Sequence, residues 1–312
     1  MVDRGFVETV ARDLVRINSV NPTLSPGGGG EAEVAAYTAG VLERLGLEVT
    51  RHEPAPGRVS VTGRLRGAGG GRSLMLNAHY DTVGVEGMLD PFSGTVLEGR
   101  LYGRGAYDMK GALAACIGAA KALVDERARL AGDVVIAAVA DEEDASIGTR
   151  DLVERVRVDG AVVTEPTALE LCVAHKGFVW IELEVEGRAA HGSKPELGVD
   201  ANLRMAAVLN RVGDLIRALA ARRPHPLVGP PSLHVATLTG GTGLSTYAAR
   251  CVAGLERRTI PGETETQVLK EVDDVLDAAR RADPSLRVTR RHLLTREPFE
   301  ASPDGALAAA LR

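Results

Sequence analysis

The chain has 312 residues, 45% of them hydrophobic, with 42 acidic side chains against 37 Lys and Arg and a formal net charge of −5. That is enough apolar material for one large folded domain or two ordinary ones. The charges are interspersed without a basic run, and no apolar stretch approaches the roughly 20 residues of a bilayer span, so neither nucleic acid nor a membrane is an expected partner. The opening MVDRGFVETVARDLVRI carries acidic residues and an amphipathic helical pattern where a secretory leader needs a basic start and a continuous apolar core, which places the protein in the cytoplasm. Three cysteines, Cys116, Cys172 and Cys251, are odd in number and widely spaced, so they are read as buried small residues and not as a disulfide framework or thiolate cluster.

In chain order, helices are predicted at 3–17 and 30–45, with strands in LEVTRH, RVSVTGRL and SLMLNAH between and after them. A longer helix over 109–127 places Met109, Leu113, Cys116, Ile117, Ala120 and Val124 at helical spacing, and strands DVVIAAVA, AVVT and ELCVAH follow. The runs at 74–78 and 134–140 are apolar throughout, as strands covered on both faces must be. Residues 1–176 therefore read as a three-layer α/β domain with a central, mostly parallel sheet. Beyond His175 the rhythm changes to strand FVWIELEVEG, helix 200–221, strands SLHVATLTGG and RCVAGLERR, helix 263–282 and strand LRVTRRHLLTREPF. That order, β-α-β-β-α-β, predicts a small antiparallel, ferredoxin-like domain at 177–298, after which the first domain resumes at 299–312 with the start of a helix. Glycine-rich SPGGGGE at 25–31 and RGAGGGR at 66–72 read as flexible loops.

Each strong strand of the first domain is followed by groups that an ordinary turn does not need. His79 and Asp81 follow the 74–78 run, Asp108 opens the 109–127 helix, Asp141, Glu142 and Glu143 follow 134–140, and Glu165 follows AVVT. Singly, each has an ordinary explanation: a surface histidine, a helix N-cap at Asp108 with Lys110 exposed, a solvated acidic turn, a proline turn. Jointly, they place one imidazole and several carboxylates at the carboxyl ends of strands, where α/β sheets gather ligands. One imidazole among carboxylates, without a thiolate, suits zinc, cobalt or manganese. The Gly103-x-Gly105 pair ahead of a helix resembles the opening of a dinucleotide fingerprint, but the third glycine and the following acid-terminated strand are missing, so an oxidoreductase reading fails.

The segments NAHYDTV, LYGRGAYDMKGALAA, ADEEDASIGT, TEPT, AHKG, AAHGSKPELGVDAN and ERRTIPGET occur in an order and spacing that resembles the acetylornithine deacetylase, succinyl-diaminopimelate desuccinylase and glutamate carboxypeptidase family of di-zinc amidohydrolases. The resemblance spans nearly the whole chain. It implies a catalytic α/β domain, an inserted lid that mediates homodimerisation, and a substrate that is an N-acyl amino acid or dipeptide with a free carboxylate, acetylornithine-type chemistry being favoured. Carried over by position, it implies that Asp108 bridges two divalent ions, that His79 and Glu165 complete one and that Glu143 helps hold the other. Asp81 would orient His79, and Glu142 would be the general base for a metal-bridging hydroxide. In the lid, His191 would support the oxyanion in the partner subunit's site, Arg258 would bind the substrate carboxylate and Ser245 would contact substrate.

Two departures from that pattern bear on expectation. Ser245 stands where many members carry asparagine, and the chain reaches Arg312 before the glycine-rich segment whose histidine completes the second metal in the family. The sequence therefore reads as C-terminally truncated. Its own ligands are expected to hold one ion tightly, and the alternative that this raises is a non-catalytic or one-metal remnant acting as a binding or assembly protein.

Overall fold

The apolar runs read as central strands sit in the middle of a five-stranded sheet in a computed structural model that describes all 312 residues. The chain forms two units, Met1–Glu170 and Leu171–Arg312, each with its own apolar core.

The first unit runs α1 (Arg4–Arg16), α2 (Ala32–Arg44), β1 (Glu48–Ala55), β2 (Arg58–Leu65), β3 (Leu74–His79), the short hairpin β4 (Thr95–Leu97) and β5 (Arg100–Tyr102), α3 (Gly111–Asp125), β6 (Val134–Val139), α4 (Ile147–Arg155) and β7 (Gly160–Val163). Helix α1 starts where the Asp3 carboxylate accepts a hydrogen bond from the Phe6 N–H, and it buries Val10, Ala11, Leu14 and Val15 as one stripe. The sheet order is β1-β2-β6-β3-β7. Strand β3 is parallel to both β6 and β7, whereas β2 is antiparallel to β1 and β6. The sheet is thus mixed, parallel only around β3, where the sequence reading had it mostly parallel. The cause is local: Pro56 and Gly57 alone join β1 to β2, and so short a link permits only an antiparallel hairpin. Alternation along β6 makes the layers. Ile136 and Ala138 join the core of α1, α2 and α3, while Val135, Ala137 and Val139 face Leu152 of α4 on the other side.

The second unit contains β8 (Ala174–His175), β9 (Gly177–Glu186), α5 (Ala201–Ala220), β10 (Ser232–Gly240), β11 (Arg250–Thr259), α6 (Glu265–Ala282), β12 (Arg287–Arg296), β13 (Phe299–Glu300) and α7 (Ala306–Leu311). Its antiparallel sheet has the order β10-β11-β9-β12. Val179, Ile181, Leu183 and Val185 alternate inward on β9 and are covered by Met205, Val208 and Val212 of α5 and Val268, Val272 and Leu276 of α6. At about 1.5–3 kcal/mol for each large side chain buried, this face is the main stabilising element of the unit. Asp200 caps α5, and Thr264 with Gln267 forms a reciprocal capping box on α6.

Several expectations need correcting. The strand predicted over ELCVAH shrinks to Ala174–His175, which pairs with Phe299–Glu300 and stacks the His175 and Phe299 rings 5.5 Å apart. Hairpin β4–β5 and helix α4 are additional to the predicted elements. Cys116 and Cys251 are buried as expected, but Cys172 is exposed. Far from hanging loosely, the loop at 25–31 lies against residues 18–20: a Cβ on Gly29 would sit 2.2 Å from the Asn18 carbonyl oxygen, so only glycine permits the approach.

Candidate metal centre

Because β6, β3 and β7 are adjacent and parallel, their carboxyl ends open on the same edge of the sheet. His79 is the last residue of β3, Glu142 and Glu143 follow β6, and Glu165 follows β7. Asp108 enters from the irregular turn Ala106–Lys110 that precedes α3. It is not the helix N-cap that the sequence allowed, since its backbone is extended, at φ −122° and ψ 100°, and α3 begins only at Gly111. The turn can press against the end of β3 because residue 105 is glycine, with φ +77° and Thr82 Cγ2 2.7 Å from where a Cβ would stand.

His79 is the buried centre of the group, 1% exposed. Its Nδ1 donates to the Asp81 main-chain oxygen at 2.9 Å, which leaves Nε2 facing Asp108 Oδ1 at 3.1 Å, Glu142 Oε2 at 3.7 Å and Glu165 Oε1 at 3.8 Å. Fixing Nδ1–H in this way directs the Nε2 lone pair of the neutral ring into the site. The Asp81 carboxylate, expected to orient the ring, lies 3.6 Å from Nδ1 and spends its hydrogen bonds elsewhere, on the main-chain N–H groups of Glu142 at 3.0 Å and Glu143 at 3.2 Å.

The charges crowd one another. Burial pushes the Glu143 and Glu165 carboxyls up to about 7, with Asp108 and Glu142 adding repulsion against the attraction of His79. Burial alone would lower His79, but its bond to Asp108 and the nearby Asp81, Glu142 and Glu165 carboxylates outweigh it and raise the ring to about 9. The same bond holds Asp108 below its ordinary value. Such a site favours a compact positive charge over protons. His79, Asp108 and Glu165 each offer a ligand atom, all within 4.8 Å of one another, and the set of one imidazole with carboxylates fits zinc, cobalt or manganese.

The remaining residues singled out in the sequence lie in the second unit. His191 and Ser245 occupy neighbouring loops: His191 bridges to Thr246, and the Gly192 N–H donates to the Ser245 carbonyl at 2.8 Å. The His191 ring bonds the Ser193 hydroxyl at 2.8 Å. Arg258 is on β11, with its guanidinium 5.5 Å from the centre of the Phe178 ring and 3.4 Å from Glu256 Oε1. Sequence reasoning missed the groups beneath the site. Lys110, allowed for as exposed, is fully buried; desolvation lowers its ammonium to about 7 against the attraction of Asp81, and Nζ donates to the Ile17 carbonyl at 2.8 Å. Asn21, Glu31 and Arg58 form a further buried polar cluster around Asp81 and Asp141. The only signal for them was a glycine-rich run and an Asn-Pro pair, which read equally well as a surface loop.

Known proteins resemble this chain over most of its length. Residues 75–312 match the model of peptidase family M20/M25/M40. An acetylornithine deacetylase of Proteus mirabilis is 31% identical over 281 residues, covering 87% of this chain and 70% of that protein. One from Salmonella arizonae is 30% identical over 311 residues, 97% of this chain and 80% of that protein. Among solved structures, an M20 family metallo-carboxypeptidase from Sulfolobus solfataricus superposes with a TM-score of 0.78 at 19% identity, covering 99% of this chain and 82% of that one.

Proposed function

The chain belongs to peptidase family M20/M25/M40 and is a hydrolytic enzyme, and from that premise we propose that it cleaves the amide bond of an N-acyl amino acid or dipeptide bearing a free carboxylate. The observation that carries this reading is the convergence of His79, Asp108, Glu142, Glu143 and Glu165 at one edge of the sheet. Acetylornithine-type substrates are favoured, because the curated relatives at about 30% identity are acetylornithine deacetylases.

In this reading Asp108, His79 and Glu165 would hold one divalent ion, zinc or else cobalt or manganese, and Asp108 with Glu143 would hold a second. When bound, the ions supply Lewis acidity, lowering the pKa of water toward neutrality and polarising the amide carbonyl. The protein does the rest. The Glu142 carboxylate, 43% exposed and 3.7 Å from His79 Nε2, is close enough to the centre to take a proton from the attacking water and exposed enough to carry it to the departing amine nitrogen. Asp81 holds the backbone of Glu142 and Glu143 through its carboxylate and the His79 ring through its carbonyl. Arg258 is the binding group for the substrate carboxylate, its guanidinium ready to exchange Glu256 for the substrate.

A homodimer completes the reading. His191 and Ser245 lie in loops near the Arg250 end of β11, while Arg258 is close to the other end, ~26 Å along an extended strand. A small substrate held by Arg258 of one chain cannot also meet His191 of the same second unit, so His191 is assigned to the oxyanion of a partner subunit, with Ser245 beside it. In this reading residues 177–298 serve as an inserted lid between the catalytic portions 1–176 and 299–312. No helix is long and apolar enough to cross a membrane.

The test is hydrolysis of a panel of N-acetyl, N-succinyl and dipeptide substrates by the zinc- or cobalt-loaded protein. Release of amine from at least one is expected; a panel without turnover would sink the reading.

A further inference from the structure

Under the candidate centre lies a polar cluster of which only Asp81 has a role above. Asn21 and Glu31 are fully buried, Arg58 is 8% exposed, and Asp81 and Asp141 are 0% and 2% exposed. The Asn21 amide nitrogen donates to Asp81 Oδ2 at 2.9 Å and to Asp141 Oδ1 at 3.0 Å, so one NH₂ group ties two carboxylates together. Its amide oxygen accepts from Arg58 Nη2 at 3.0 Å, which fixes which end of the amide is which. The same Nη2 bonds Asp141, while Nη1 lies 3.1 Å from Glu31 Oε1.

Both tied carboxylates act on one stretch of backbone. Asp81 accepts the N–H groups of Glu142 and Glu143, and Asp141 Oδ2 accepts those of Ala145 and Ile147, each at 3.3 Å, at the start of α4. Asp141 itself has φ +65°, a left-handed conformation that costs a non-glycine residue of order 1–3 kcal/mol and persists only where its surroundings impose it. Those surroundings are Arg58 and Asn21. The carboxylates of Glu142 and Glu143 leave a turn whose direction is set by Asp141 and whose N–H groups are held by Asp81.

We propose that Arg58 and Asn21 are positioning residues whose buried bonds to Asp141 and Asp81 fix the 141–147 turn that presents Glu142 and Glu143 to the centre. The inference rests on the reading that Glu142 and Glu143 serve a metal site. Burial of charge alone does not explain the cluster, since an Arg58–Glu31 pair would need neither the Asn21 bridge nor the bonds into the turn.

The test separates positioning from stability. Arg58→Met strands two buried carboxylates and can unfold the chain, so it is compared with the double variant Arg58→Met/Glu31→Gln, in which the Glu31 charge is removed too, and with Asn21→Ala. Three quantities are read on the full chain: melting temperature, cobalt(II) affinity, and amide exchange of residues 142–147 without metal. The double variant is expected to regain most of the lost melting temperature, yet to exchange these amides at least about tenfold faster and to bind cobalt about 10–100-fold more weakly, the usual loss when support behind a metal ligand is removed. Arg58→Lys is expected to recover part of the affinity. Wild-type exchange rates at 142–147 in both the double variant and Asn21→Ala would overturn the proposal. Should the wild type bind cobalt but hydrolyse no substrate, the assigned reaction fails while exchange and affinity still decide the positioning role; should it bind no cobalt, the metal reading fails and exchange alone decides.

Discussion

His79 Nε2 lies 3.1 Å from Asp108 Oδ1, one atom at the end of β3 and the other in the turn before α3, 29 residues later. The pairing leaves a raised imidazole, at about 9, among carboxyls raised to about 7 at Glu143 and Glu165. A metal ion must displace those protons to bind. Cobalt or zinc affinity is therefore expected to climb as pH rises from 6 to 9, steeply up to about 7 as the two glutamates ionise and more gently beyond, where only His79 still carries its proton. Titration calorimetry in buffers of different ionisation enthalpy measures the protons released per ion: more than one at pH 6, falling toward none above pH 9. A proton count independent of pH would contradict the arrangement.

Neighbouring Glu142 and Glu143 are predicted to fail differently. Glu142→Gln keeps the side-chain shape and removes only the capacity to carry a proton, so kcat should fall by about 10²–10⁴-fold with metal content unchanged. Glu143→Gln should lower the number of ions retained after dialysis, measured by mass spectrometry, before any kinetic comparison is made. If both variants lost metal equally, the division of roles between them would be wrong.

Legibility in the sequence followed periodicity. His79, Glu142, Glu143 and Glu165 could be found because each stands at the end of an apolar strand or just past it, and strand ends are visible as changes of pattern. Asp108 was found on the same logic but placed at the opening of the 109–127 helix, because nothing local shows that the chain makes an irregular turn from 106 to 110 before the helix starts. Asn21 and Arg58 were invisible. Isolated polar residues in a loop and at a strand start have no period, and their partners at 81 and 141 are 60 to 120 residues away. The antiparallel pairing of β2 with β6 was hidden for a related reason, since alternation predicts strands and not their directions.

Glu31 gives a stability prediction with a definite sign. Desolvation raises its carboxyl from 4.5 to about 7, with Arg58 opposing and Asp81 and Asp141 reinforcing. The folded state thus keeps a proton that the unfolded chain releases between those values. Stability from this group is fully present below pH 4.5 and is lost as pH rises through about 7, a change of about 3 kcal/mol at 1.36 kcal/mol per pH unit. In urea unfolding at pH 4.5 and 7.5, Glu31→Gln should show a smaller drop than the wild type, by about that amount. The difference between the two proteins is what counts, because Glu143 and Glu165 slope in the same direction in both.

Arg257 and Arg258 are adjacent on β11, and the pleat sends them to opposite faces. Arg257 is 1% exposed, with Nη2 2.7 Å from Glu263 Oε1 and Nε 3.1 Å from Glu271 Oε2, and Arg222 Nη1 reaches Glu271 Oε1 at 2.7 Å. Burial would raise the Glu263 carboxyl, yet the guanidiniums hold it below its ordinary value. Removing Arg257 leaves two carboxylates against the sheet with Arg222 alone to answer them. Arg257→Ala is therefore expected to cost about 3–5 kcal/mol. Arg258, 37% exposed beside Phe178, pairs only with Glu256 in this way, and exposed pairs contribute little. Arg258→Ala should alter stability by no more than about 0.5 kcal/mol while raising KM for carboxylate-bearing substrates. Chemical denaturation of both variants with steady-state kinetics of the second checks the contrast. Equal destabilisation by the two would mean that Arg258 supports the fold, and the substrate contact would have to be sought elsewhere.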